Sequence, residues 1–186
     1  VSAQRSVFKR YRLPESVERM YPFQLSGGMA RKVLVSTATV SKAELIVADE
    51  PTPGMHPDDA RETFQQFREL ADEGCAVLLI NHDLEGVLPY ADKVAVLYGG
   101  TVVEIAPAED FTGGGERLRH PYSKALWKAL PQNGFVPIPG SPPRLGDWPP
   151  GCLFSPRCPL VVPECKQSRP KLRTCRGGWV RCIHDT

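Results

Sequence analysis

With 186 residues and 41% apolar content, the chain can bury one core of ordinary size and a smaller second body. No run of 18 apolar residues occurs, which excludes a membrane-spanning helix, and Val1–Arg5 has no apolar h-region, so no secretory signal is expected there. Residues 1–110 hold 11 Lys and Arg against 17 Asp and Glu, whereas residues 111–186 hold 12 against 4. The basic part spreads its charge among prolines and cysteines, with no helix-turn-helix or RNP-like pattern, and no nucleic-acid partner is expected.

In chain order, residues 1–22 read as mostly helical, with Pro14 near a helix start and Glu15 and Glu18 in its first turn. Leu25-Ser26-Gly27-Gly28-Met29 then opens a helix over 29–40. Two glycines allow close backbone approach, and the free N–H groups and positive end of the helix suit an anion such as phosphate. Leu45 to Ala48 is an apolar run ending in Asp49 and Glu50, the form of a buried strand that delivers acids to a sheet's end. Adjacent residues diverge there, so Asp49 can hold a Mg²⁺ shell while Glu50 polarises an attacking water.

Ala60, Phe64, Phe67 and Leu70 recur at three and four residues, predicting an amphipathic helix over 58–73 that Gly74 ends. Cys75 to Ile80 reads as a second buried strand, with His82 just past its end. A helix over 83–90 and a hairpin follow, Val94–Tyr98 and Thr101–Ile105, joined by Gly99-Gly100. After Gly113-Gly114-Gly115, read as a flexible break, a short helix is expected from Tyr122 to Leu130.

Taken in this order and at these intervals, the motifs resemble the C-terminal half of an ABC transporter ATPase. The resemblance runs from about Pro14 to Cys182 and implies an α/β, P-loop NTPase-type core. It makes Gln24 to Met29 the signature motif, Leu45 to Glu50 Walker B, Pro53 to Asp58 the D-loop and His82 the switch histidine. It implies that Gln24, Ser26, Gly27, Gly28 and Asp49 bind ATP and Mg²⁺ and that Glu50 and His82 direct hydrolysis. His56 stands where the family's D-loop aspartate is usual, which bears on coupling between two nucleotide sites. No G-x-x-x-x-G-K-[ST] run occurs, so the phosphate cradle is expected from upstream sequence or a partner subunit.

The wording H-P-Y-x-x-A-L-x-x-A-x-P from His120, with Ile138-Pro139-Gly140 after it, is similar to the oligopeptide, dipeptide and nickel importer branch. That resemblance implies a second ATPase subunit, two permease subunits, an extracytoplasmic binding protein and a location on the cytoplasmic face of a bacterial inner membrane. The expected organisation is 1–110 as the ATPase portion, 111–150 as a linker with a short helix, and 151–186 as a four-cysteine extension. The tail's cysteine spacing matches neither C-x2-C zinc sites nor the ferredoxin pattern and leaves metal binding and free thiols open. By resemblance to the branch's C-terminal extension, Cys152, Cys158, Cys165 and Cys182 are expected to hold a four-iron four-sulfur cluster, or Zn²⁺ in its place. Arg157, Arg169, Arg173 and Arg181 are candidates to offset its charge. A chain that contributes only a signature motif and a cysteine site, without catalysis, is the second reading. A soluble ABC ATPase of translation or repair is the third.

Overall fold

The computed structural model describes residues 2–40, 43–144 and 146–184, so the helix expected over 1–22 is tested from Ser2 onward. Two compact units divide the chain, Val1–Tyr90 and Ala91–Thr186.

The first unit runs α1 (Ser2–Arg10), α2 (Gly27–Thr39), β1 (Leu45–Asp49), α3 (Pro57–Asp72), β2 (Ala76–Ile80) and α4 (Leu84–Val87). The expected N-terminal helix ends at Arg10, and two residues on Arg12 takes a left-handed φ of 50°. It resumes only as a 3-10 turn over Glu15–Arg19, because Pro14 has no N–H to continue the ladder and pushes its predecessor out of the helical region. On α3, Phe64 and Phe67 face inward and join Tyr11, Val35 and Ile46 in one core. A His side chain starts that helix: His56 Nδ1 accepts from the Asp58 N–H at 3.4 Å.

Strands β1 and β2 pair in parallel, Leu45 opposite Ala76 through Asp49 opposite Ile80. Alternation sorts their side chains by face. Ile46, Ala48, Val77 and Leu79 pack on the core. Leu45, Val47, Leu78 and Ile80 share the other face and are 57%, 57%, 52% and 48% exposed. Parallel strands ordinarily bury both faces.

The second unit holds β3 (Lys93–Tyr98), β4 (Thr101–Pro107), α5 (Pro121–Ala129), α6 (Pro163–Gln167), β5 (Arg173–Cys175) and β6 (Gly178–Val180). Its four strands form one antiparallel sheet in the order β3-β4-β6-β5. The Gly99-Gly100 hairpin turn forms as expected, with φ of 56° and 72° that suit glycine. The hairpin does not stop at β4, however, because Glu104 and Ile105 pair with Val180 and Trp179 of the tail.

Glu104 sits in an apolar strand and is fully buried. Its carboxylate accepts the backbone N–H groups of Arg119 and His120, each at 2.8 Å, and faces Arg119 Nη1 at 3.3 Å. The same guanidinium contacts Asp110 at 2.8 Å and donates to the carbonyls of Cys175, at 2.6 Å, and Arg176. One buried ion cluster therefore ties the hairpin, the loop before α5 and the tail strands. At Gly113-Gly114-Gly115, where a flexible break is expected, the chain turns and buries its third glycine. Trp127 Nε1 donates to the Gly113 carbonyl at 2.9 Å, and a Cβ on Gly115 would stand 2.8 Å from the Trp127 ring.

Candidate functional site

Two parallel strands bring Glu50 and His82 side by side although 32 residues separate them. Asp49 pairs with Ile80 at the last rung, so the residues just past each strand emerge at the same sheet end. His82 Nδ1 lies 2.9 Å from both Glu50 carboxylate oxygens. That hydrogen bond, and the negative charge behind it, hold the imidazole above its ordinary value of 6.5. Glu50 takes a φ of 46°, a left-handed conformation uncommon for a residue with a Cβ. Such strain persists where surroundings fix it, and here the Glu50 N–H donates to Ile80 O at 2.9 Å. Beside the pair lies an open cleft of about 470 Å³, lined by Thr52, Met55, Asn81, His82 and Gly86 among others.

Asp49 ends β1 with an exposed carboxylate. One hard oxygen donor beside a phosphate site is what Mg²⁺ takes from a protein, the remaining ligands coming from phosphate and water. The donor type fits the ion.

The turn expected to face phosphate lies at the start of α2. Gln24 Oε1 accepts from the Tyr21 N–H at 2.8 Å and shapes the approach. Ser26 caps the helix, its Oγ accepting from the Met29 N–H at 3.3 Å. Gly27 and Gly28 occupy the first two helical positions, and a Cβ on either would meet nothing within 4 Å. Packing inside the chain therefore does not require glycine there. Bare glycines leave the helix's first N–H groups open to an anion from outside. This turn and the Glu50–His82 pair are carried on different elements.

In the tail, Cys152, Cys158, Cys165 and Cys182 come together. The Cys152 N–H donates to Cys165 O at 2.8 Å, and neighbouring thiols of the set act on one another's charge. Burial is the larger influence and pushes the Cys152, Cys158 and Cys182 thiols up, toward the protonated form. All six cysteines are free, and among the described residues no group of three or more His, Cys, Asp or Glu is arranged to hold a metal ion. The iron–sulfur or zinc site expected on these cysteines therefore has no support among the described residues. Of the four arginines expected to balance a cluster, Arg157 is engaged with the carbonyls of Ile138 and Pro139 and with the Tyr98 hydroxyl. Arg181 is engaged with Val102 O and Pro170 O.

Two features of the sites lay outside the sequence reading. Asn81 bridges the strand ends, and only its place just before His82 hinted at it. The Glu104–Arg119 cluster was signalled by a lone acid within Val102-Val103-Glu104-Ile105.

Among the described residues no helix is long and apolar enough to cross a membrane. Residues 103–165 match the family described as oligopeptide/dipeptide transporter, C-terminal region. The dipeptide transport ATP-binding protein DppD of Haemophilus influenzae is 34% identical over 91% of this chain and 52% of its own length. The oligopeptide transport ATP-binding protein OppD of the same organism is 36% identical over 91% of this chain and 54% of its own. Among solved structures, MJ1267, an ATP-binding cassette of an ABC transporter, superposes with a TM-score of 0.53 at 25% identity, over 59% of this chain and 45% of that one. The dimeric bacterial cassette MJ0796 gives 0.54 at 22%, over 57% and 46%, a likeness of fold alone. The chain spans about half the length of the relatives it matches. Over most of its length the chain is therefore similar to the ATP-binding subunits of oligopeptide and dipeptide ABC transporters, and residues 103–165 match that family's C-terminal region.

Proposed function

We propose that the chain supplies the hydrolytic face of an ATPase subunit that energises a bacterial importer. In this reading it pairs with a second ATPase subunit at the cytoplasmic face of the inner membrane, beneath two permease subunits fed by an extracytoplasmic binding protein. The relatives' names favour peptides over nickel as cargo. A single observation carries the reading: a carboxylate and an imidazole face each other at 2.9 Å, at the C-terminal ends of adjacent parallel strands, where such sheets meet their ligands.

Glu50 polarises the attacking water and His82 holds the terminal phosphate. Asp49 would hold Mg²⁺, directly or through water, and the ion would draw charge from the phosphates. Ser26, Gly27 and Gly28 present hydrogen-bond donors to a nucleotide held by the partner subunit. The phosphate cradle comes from sequence other than these 186 residues.

The test is ATP turnover by the assembled transporter carrying Glu50→Gln. Loss of a general base should lower kcat by about 10²-fold or more while ATP binding is kept. Unchanged turnover would favour the non-catalytic reading, in which the chain lends only its signature turn to a partner's nucleotide.

A further inference from the structure

We propose that Asn81 is a positioning residue that locks the His82 turn to the segment following Glu50, so that the two hydrolytic side chains are held face to face. The inference rests on the reading of Glu50 and His82 given above. Asn81 is the first residue past β2, and its amide makes two bonds at once. Oδ1 accepts from the Asp83 N–H at 2.7 Å, closing a turn around His82. Nδ2 donates to Thr52 Oγ1 at 3.3 Å, across to the chain leaving β1. The Asp83 N–H can only donate, so the amide oxygen must face it and the NH₂ must face Thr52.

With the bond from the Glu50 N–H to Ile80 O, residues 50–52 and 80–83 are tied at two points, on either side of Pro51. Between those ties the Glu50 carboxylate meets the imidazole. Glu50 itself is held at a left-handed φ, a conformation that relaxes unless something fixes both flanks. Asn81 is suited to this because one short side chain must offer an acceptor and a donor in opposite directions. A serine or threonine hydroxyl has a single proton and shorter reach.

Two variants separate positioning from a general loss of structure. Asn81→Leu removes both bonds, and Thr52→Val, of nearly the same shape, removes only the crossing one. The first readout is the pH titration of the His82 ring followed by NMR in the full chain. Both variants should bring it down toward the ordinary value of 6.5. The second readout is ATP turnover by the assembled transporter, where a loosened pair should lower kcat by about 10- to 100-fold and leave KM for ATP within about twofold. An unaltered His82 titration in Thr52→Val overturns the proposal, whatever becomes of Asn81→Leu. If the titration falls in both variants but turnover does not depend on Glu50, the positioning role stands and the hydrolytic reading fails.

Discussion

At the scale of single residues, two histidines sit in opposite surroundings. His82 is exposed and paired with Glu50, which raises its value. The imidazolium side of the pair is therefore kept through 6.5 and is lost as pH rises through the raised value. NMR should find His82 titrating above 6.5, and Glu50→Gln should abolish that upward shift. His120 is 1% exposed, its Nδ1 accepts from the Tyr122 N–H at 3.0 Å, and its Nε2 has no hydrogen-bond partner among the described residues. Burial lowers it to about 4 from 6.5. Its proton is then bound more tightly by the unfolded chain, so its contribution is complete above 6.5 and lost as pH falls from there toward 4. The loss over that window is about 3 kcal/mol. Urea unfolding at several pH values should record it, and His120→Asn, which can still cap the helix, should flatten the dependence. Glu50 and His82 stood out in the sequence because each stands two positions past an apolar run. Asn81 and Thr52 were not, since their contact depends on the register of two strands.

Among elements, α3 and the β3-β4-β6-β5 sheet carry the packing in their respective units. Phe64 is 2% exposed, and Phe64→Ala should cost about 3–5 kcal/mol in equilibrium unfolding. The period of α3 announced this face in advance. The tail sheet was hidden, because β5 and β6 are three residues each, too short for any alternation to register. Its stability depends on charge more than on pattern. Arg119→Met would leave Glu104 buried beside the Asp110 carboxylate without its cation, and the loss should reach about 3–5 kcal/mol. Replacing Glu104 with Gln in the same chain should recover part of that loss, and a double-mutant cycle measures how much. An acid in a strand usually signals a solvated face, and the loop at Arg119–His120 together with the returning tail buries this one. The cysteines divide in the same way: their recurrence in the tail foretold a group, whereas whether thiols converge on an ion depends on side-chain geometry that spacing does not encode.

For the whole molecule, the residues proposed as signature, Walker B acids and switch histidine lie in the first unit, and the matched transporter C-terminal region lies in the second. The half-covered sheet in the first unit governs how the polypeptide behaves in a tube. Leu45, Val47, Leu78 and Ile80 form a greasy plate with Asp49 at its rim. Expressed by itself, the polypeptide should light up the dye ANS, and its sedimentation should grow heavier with concentration. Val47→Lys combined with Leu78→Lys should quench the dye signal and disperse the assemblies while leaving the melting temperature within a few degrees. A steep fall in melting temperature would instead mean that the plate is already covered.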